Sequence, residues 1–414
     1  MLTTVPIGTK SISQYEEIVG GELINRLKEV AYELANAKIL HLSSTAFGGG
    51  VAELLYTLVP LTRDLGLDVD WKIIYGSDDF FTCTKLFHNA LQGMDLILTK
   101  DMVDIYNRQN DYNADMFQGR YDFVMVHDPQ PAAILKMLEA RGRRSGKWIW
   151  RCHIDLTDAN MAVWEFLKPY LDIYDAAIFT MPQYVKEDLF VKNVKIVAPT
   201  IDPLSPKNME IELKDVESVL ARYSIDPVKP IITQVSRFDP WKDPLGVIDA
   251  FRIAKKKIPE IQLLMIASMA TDDPEGWHYY EKTSRHAAGD KDIHLLSNFE
   301  GVGNLEVNAF QRASDIVVQK SIREGFGLVV SEALWKEKPV IGGNVGGIPI
   351  QIIDGRNGYL IDTVDECADR IMTLLTNKNA TANMGAAGKE HVRKNFLSPR
   401  QLVDYLELFA GLAA

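Results

Sequence analysis

The sequence predicts an α/β protein made of two parallel-sheet domains, each of the α/β/α kind. Three observations predict it. Short apolar runs of strand length recur along the chain, separated by helical or polar stretches. This is the pattern of strand–helix–strand units whose sheet is covered on both faces. The series stops at Pro199-Thr200-Ile201-Asp202-Pro203-Leu204-Ser205-Pro206, a stiff non-helical connector, and then restarts. A chain of 414 residues is also long enough for two or three domains.

The first half opens with a strand at Ala37–Ser43. It ends in the loop Phe47-Gly48-Gly49-Gly50, and a helix over Val51–Leu65 follows, with Leu54, Leu55, Leu58 and Leu61 at helical spacing. Further strands are expected at Val69–Tyr75, Asp122–His127, Lys147–Arg151, Ala176–Thr180 and Val194–Val197. The second half restarts with a strand over Pro230–Val235 and a helix from about Pro244 to Lys257. Strands at Gln262–Ala267 and Ile293–Leu296, a helix near Leu305–Ala313 and a strand at Asp315–Val318 continue it. A helix over Leu328–Lys336 and a strand at Pro339–Gly342 come next. The chain end reads as helices, and the last of them, from about Arg400, is expected to pack back across the first domain. The domains are therefore 1–203, with a C-terminal helix of about 396–414 returned to it, and 204–395. Both are Rossmann-like, and a hinge joining two open sheets implies an interdomain cleft. Ligands of such sheets bind beyond the carboxyl ends of the strands, so the residues that follow each strand carry the functional question.

Composition removes several classes. Hydrophobic residues make up 47% and charged residues 24%, enough apolar material for a large core. No apolar run reaches the ~18 residues of a membrane helix, and Met1-Leu2-Thr3-Thr4-Val5-Pro6 does not read as a secretory signal. The three cysteines, Cys83, Cys152 and Cys367, are far apart and odd in number, which fits a reducing cytoplasm rather than a disulfide framework. A net charge of −11 argues against nucleic acid and anionic membranes as partners. An anionic ligand would need a local basic site.

Six segments at strand ends are candidates for chemistry. Phe47-Gly48-Gly49-Gly50-Val51 lets backbone approach a ligand at a helix start, although a plain strand-to-helix turn would read the same way. It is neither a dinucleotide fingerprint nor a Walker loop. Ser236-Arg237-Phe238-Asp239-Pro240-Trp241-Lys242-Asp243 offers a planar fork of donors and a compact charge, suited to a diphosphate, against the alternative of two surface cations. Arg323-Glu324-Gly325-Phe326-Gly327-Leu328-Val329-Val330-Ser331-Glu332-Ala333 puts a glutamate before a glycine turn that opens a helix. The amides of Gly325 to Leu328 would face an anion, and Glu332 lies one turn in, as a sugar ligand or as dipole compensation. His127 in His127-Asp128-Pro129-Gln130-Pro131 and His153 in Trp150-Arg151-Cys152-His153-Ile154-Asp155 follow strands of one sheet, catalytic or structural. The histidines show no zinc spacing. Gly342-Gly343-Asn344-Val345-Gly346-Gly347-Ile348-Pro349 is either a further ligand loop or a flexible connection.

At these residues the chain resembles retaining glycosyltransferases of the GT-B fold, the group that includes sucrose and glycogen synthases, over nearly its whole length. The Glu324-Gly325-Phe326-Gly327 to Glu332 motif and Arg237 with Lys242 carry the likeness. His127-Asp128-Pro129-Gln130-Pro131, Trp150-Arg151-Cys152-His153-Ile154-Asp155 and Gly346-Gly347-Ile348-Pro349 look most like the trehalose glycosyltransferring synthases, with retaining trehalose phosphorylases behind them. Ile350 stands where many relatives in the wider group place a glutamate. The resemblance implies that Arg237 and Lys242 bind the diphosphate of UDP-, ADP- or GDP-glucose, that Glu324 binds the donor glucose and Glu332 the ribose. It implies backbone contacts from Gly325, Phe326, Gly327 and Leu328, closure on the leaving group at Gly49 and Gly50, and a hexose contact from His153. Asp128 and Gln130 are the candidates for the acceptor glucose. No tightly bound cofactor and no metal site is implied; Mg²⁺ would only shield diphosphate. A cytoplasmic homodimer is the implied setting.

The reaction implied is NDP-glucose plus glucose to α,α-trehalose plus NDP. A trehalose phosphorylase is the nearest alternative, since free phosphate would fit the same cations. A retaining glycoside hydrolase would leave Arg237 and Lys242 without a task. A sugar-nucleotide sensor without turnover would be expected to show a broken motif, and this one is intact.

Overall fold

A computed structural model describes residues 1–47, 49–269 and 274–413 of the chain. They form two compact units, Met1–Pro199 with Ser398–Ala414, and Thr200–Leu397. The chain passes from one unit to the other twice. Thr200, Ile201 and Asp202, placed from sequence in the first half, lie in the second unit. Ile201 donates its N–H to the Phe396 carbonyl at 2.9 Å and forms an isolated bridge with Leu397.

Among the described residues, the first unit is a seven-stranded sheet. Its strands are β1 (Thr3–Thr4), β2 (Lys38–Ser43), β3 (Asp68–Ile73), β4 (Phe123–His127), β5 (Lys147–Arg151), β6 (Ala176–Phe179) and β7 (Asn193–Ile196). The order is β1-β3-β2-β4-β5-β6-β7. All pairs are parallel except β1 with β3. The central strands are buried along their length, with β4 buried at every position, as a sheet covered on both faces requires. The terminal helix Ser398–Ala413 packs on the helices Gly21–Glu33 and Gly49–Asp64, and Phe409 lies over Phe123 with ring centroids 4.9 Å apart.

Among the described residues, the second unit has six strands, all parallel: β8 (Ile231–Val235), β9 (Gln262–Ala267), β10 (Ile293–Ser297), β11 (Ile316–Gln319), β12 (Val340–Gly343) and β13 (Gly358–Ile361). The order is β10-β9-β8-β11-β12-β13. Successive residues feed opposite cores. Ile232 and Leu263 join Val247, Phe251 and Ile371 on one side. Ile231 and Leu264 join Val216, Leu220 and Phe310 on the other. That is the two-residue period of a strand, and each such side chain contributes roughly 1.5–3 kcal/mol on burial.

Two strands lie outside the sequence reading. β1 is a pair of exposed residues, and β13 is a short, partly exposed run after the turn at Gly355. The glycine loop after β2 is also shorter than expected. Gly49 and Gly50 already belong to the first turn of the helix Gly49–Asp64. Gly48 lies outside the described residues.

Candidate active site

In the second unit the strand order reverses between β8 and β11: β9 and β10 continue to one side, β12 and β13 to the other. Open parallel sheets leave a ligand crevice at such a switch point, beyond the carboxyl ends of the strands. Arg237 and Lys242 follow β8, and Glu324 follows β11. The two strands are neighbours, with Ile232 opposite Ile316, so residues far apart in sequence meet at their ends.

Two aspartates shape the loop after β8. Asp239 accepts the N–H of Lys242 at 3.2 Å and caps the turn Pro240–Lys242. Asp243, at φ +44°, caps the helix Pro244–Lys255 through the N–H of Gly246 and pairs with Lys320 of the facing loop. Gln234 Nε2 donates to the Lys242 carbonyl at 2.8 Å. Lys242 Nζ is thereby placed 2.7 Å from Glu324 Oε2, with both side chains largely buried. The same oxygen accepts from Gln319 Nε2 at 3.1 Å and Ser321 Oγ at 3.0 Å. The direct pair offsets the desolvation of both charges. Arg237 is different: it is 66% exposed and reaches Asp239 Oδ2 only at 3.4 Å. Burial holds the Asp239 carboxyl above its usual range, against the pull of Lys242 and Arg237.

Gly327 caps the helix Leu328–Trp335 at φ +81°, and a Cβ there would lie 3.1 Å from Glu324 Cγ. Backbone conformation and space both select glycine. The first amides of that helix have no intrahelical acceptor, and its positive end faces outward from them. The glycine-rich segment after β12 is a close-packed brace rather than a flexible connection. A Cβ on Gly343 would lie 2.0 Å from the Ser321 carbonyl oxygen, and one on Gly347 would lie 2.8 Å from Phe326 Cα and 2.9 Å from the Gly325 oxygen. Gln351 ties the brace down. Its Nε2 donates to the Phe326 carbonyl at 2.6 Å, and its Oε1 accepts from the Ser331 N–H at 3.0 Å.

Glu332 belongs to a second cluster. It is 1% exposed, with Lys207 Nζ 3.4 Å from Oε1 and Gln311 Nε2 3.4 Å from Oε2. Lys336 lies beside it, donating to Gln311 Oε1 at 2.7 Å and Asn208 Oδ1 at 2.9 Å. Burial lowers the Lys336 ammonium to about 7, opposed by Glu332. The structure therefore brings Lys242 and Glu324 into contact, leaves Arg237 exposed on the same loop as Lys242, and gives Glu332 its own partners.

The first unit has its own switch point, between β2 and β4. Gly49 follows β2 at φ +80°, where an added Cβ would meet nothing within 4 Å; conformation alone selects glycine. Gly50 is exposed beside it. Three histidines line up across the sheet, His41 within β2, His127 at the end of β4 and His153 just past β5. His41 Nδ1 is 3.0 Å from His127 Nε2, and His127 Nδ1 is 3.0 Å from His153 Nε2. Burial lowers His41 to about 4 and holds His127 and His153 well below the usual histidine range. The rings form a line and do not converge, and among the described residues no group of three or more His, Cys, Asp or Glu is placed to hold a metal.

Asp128 adopts φ +63°, a left-handed conformation costly for a non-glycine residue. Its Oδ1 accepts the N–H of His153 at 2.8 Å, and its carbonyl accepts from Trp150 Nε1 at 3.1 Å. Asp128 thus fixes the loop that carries His153, a task its sequence position did not suggest. Burial raises its carboxyl to about 7, with Arg151 opposing. Gln130 holds Asn110 Nδ2 through its backbone carbonyl at 3.1 Å, while its side-chain Oε1 is buried without a hydrogen-bond partner.

Sequence reasoning missed His41, Gln319, Ser321, Lys207 and Gln311. Gln319 and Ser321 had a usable signal, since they flank the end of β11. His41 sits inside an apolar strand and gave none.

Two parallel-sheet units with a cation–glutamate pair at a switch point define a GT-B glycosyltransferase. The structure superposes on a UDP-forming α,α-trehalose-phosphate synthase from Burkholderia xenovorans with a TM-score of 0.73 at 16% identity, covering 91% of this chain and 100% of that one. Residues 216–391 match the family described as glycosyl transferases group 1, and residues 41–186 match the trehalose synthase N-terminal domain. The chain is 50% identical over 415 residues to a trehalose synthase of Rubrobacter xylanophilus, covering 100% of this chain and 99% of the relative. It belongs to the trehalose synthase family. A trehalose phosphorylase of Pleurotus pulmonarius is more distant, 27% identical over 432 residues, with 92% of this chain aligned to 58% of that protein.

Proposed function

We propose that this protein transfers glucose from a nucleoside diphosphate glucose to free glucose, reversibly and with retention, giving α,α-trehalose and nucleoside diphosphate. The observation that carries the reading is the Lys242–Glu324 pair at the β8/β11 switch point, in a chain that shares half its residues with a trehalose synthase. Cleavage of the donor breaks the bond from the anomeric carbon to a phosphate oxygen. Negative charge grows on the diphosphate and positive charge on the hexose. Arg237, Lys242 and the helix start at Gly325, Phe326, Gly327 and Leu328 oppose the first, and a preorganised contact of this kind contributes ~3–4 kcal/mol. The acceptor hydroxyl attacks on the same face and passes its proton to the departing phosphate oxygen, so no carboxylate nucleophile is needed.

The pairing of Lys242 with Glu324 gives the two residues a shared task. As a diphosphate draws Lys242 away, the carboxylate is released to accept from donor hydroxyls. Glu332 is read as the ribose ligand; its contacts at 3.4 Å are long enough to be exchanged. His153 is read at the donor hexose, and Gln130, with its orphaned oxygen, at the acceptor with Asp128. Gly49, with open space where a Cβ would stand, and the exposed Gly50 are read at the leaving group. Mg²⁺ would act only on the diphosphate. We read the working form as a cytoplasmic homodimer, which light scattering would check.

The experiment is incubation of the protein with UDP-, ADP- and GDP-glucose, each with free glucose, and identification of the products. A non-reducing disaccharide and stoichiometric nucleoside diphosphate are expected. Only a reducing disaccharide, or transfer solely to another acceptor, contradicts the trehalose assignment. Glucose 1-phosphate from trehalose and phosphate, with no dependence on nucleotide, establishes the phosphorylase instead.

A further inference from the structure

The three histidines of the first unit are arranged more narrowly than packing alone requires. The linked nitrogens are 3.0 Å apart at both contacts. The ring centroids are 5.3 and 5.4 Å apart, and the planes differ by 27° and 16°. The extra distance between centroids is what two ring radii occupy. The rings therefore lie end to end, nitrogen facing nitrogen, and are not stacked face to face. Both links have hydrogen-bond geometry.

We propose that His41, His127 and His153 form a tautomer relay, in which the protons of all three rings take up one arrangement together, and that His41 and His127 are positioning residues deciding whether the outer nitrogen of His153 donates or accepts. This role rests on the reading of His153 at the donor hexose.

A neutral imidazole has one donor and one acceptor nitrogen. Burial keeps all three rings neutral at pH 7. If His153 Nε2 carries a proton, it donates to His127 Nδ1. His127 must then carry its own proton on Nε2 and donate to His41 Nδ1, which leaves the His41 proton on Nε2. If His41 Nδ1 is protonated instead, each step reverses and every ring carries its proton on Nδ1. Only these two arrangements satisfy both links. In the first, His153 Nδ1 is an acceptor; in the second, it is a donor. A sugar hydroxyl at that nitrogen sees one character or the other. The choice is shared with His41, two rings deeper and 2% exposed. The strands hold the register: His41 pairs with Met125 across β2 and β4, and His127 with Arg151 across β4 and β5.

The test is long-range ¹⁵N–¹H correlation on the full chain labelled with ¹⁵N-histidine at pH 7.5, where each neutral tautomer has its own pattern. His41, His127 and His153 are expected in one common tautomer. Any mixture, such as His127 protonated on Nδ1 with His153 protonated on Nε2, overturns the relay. The functional arm uses His41→Phe and His41→Asn. Phenylalanine keeps a ring and removes the nitrogen; asparagine restores a polar atom near the position of Nδ1. His41→Phe should lower kcat/KM for the nucleotide-glucose about tenfold, leave nucleoside diphosphate affinity unchanged, and be largely rescued in His41→Asn. An equal loss of diphosphate affinity, or no loss in either variant, overturns the positioning role. If His153→Phe leaves hexose transfer intact while the common tautomer is observed, the hexose reading has failed and the relay has not.

Discussion

Lys242, on the loop after β8, and Glu324, on the loop after β11, neutralise each other, and under the proposed function that contact couples the diphosphate ligand to the hexose ligand. A cation held 2.7 Å from a carboxylate is already desolvated and directed, so moving it to a phosphate oxygen requires little reorganisation. Glu324→Ala should lower kcat by ~10²–10³-fold, the range for loss of one preorganised contact, while nucleoside diphosphate still binds. Unchanged turnover, read in a coupled assay of nucleotide release, contradicts the role. Gly327→Ala forces an alanine into φ +81° with its Cβ 3.1 Å from Glu324 Cγ. A conformational cost of roughly 1–2 kcal/mol is expected, seen as a lower urea midpoint, together with a loss of activity from the displaced glutamate.

At the scale of elements, the strand ends collect groups whose charge states work against each other. His41 is held at about 4 by burial, below its ordinary 6.5, and His127 and His153 lie in the same direction. A histidine kept neutral by the fold contributes its full stability above 6.5 and loses it as the pH falls toward the folded value. For His41 alone this is on the order of 3 kcal/mol. Asp128 acts oppositely, because burial raises it from 3.8 to about 7. Its protonated form fits the fold, and its destabilising effect grows as the pH rises through that window. Three histidines outweigh one aspartate, so unfolding midpoints in urea should fall between pH 7 and pH 5. His41→Phe should flatten the slope; an unaltered slope contradicts the assignment.

The same elements show what the sequence could reveal. Both sheets were legible because β4, β9 and β11 are apolar runs buried along their length, and because the Asp-Pro turn at Asp239 follows β8 and the glycine turn at Gly327 follows β11. Lys242 and Glu324 were legible as strand-end residues. Their contact was not, since it depends on β8 and β11 lying side by side. The histidine line was half legible for the same reason: His127 and His153 follow strands, whereas His41 lies within one and is positioned only by register. The long contacts of Glu332 with Lys207 and Gln311 join distant segments of the second unit and have no local signature.

For the whole molecule, the return of the chain end to the first unit is structural. Leu402, Leu406 and Phe409 are buried, and each contributes roughly 1.5–3 kcal/mol in such a setting. A chain ending at Leu397 should lose hydrogen-exchange protection in β2 and β4 first, with β8, β9 and β11 keeping theirs. Uniform loss in both units would show that the helix supports more than the unit it packs on. The central claim is best tested by a crystal structure with a bound nucleoside diphosphate. The pyrophosphate oxygens should lie within hydrogen-bond distance of Arg237, Lys242 and the amides that open the helix at Leu328, with Lys242 withdrawn from Glu324. A diphosphate bound elsewhere, with the Lys242–Glu324 pair undisturbed, would contradict the account.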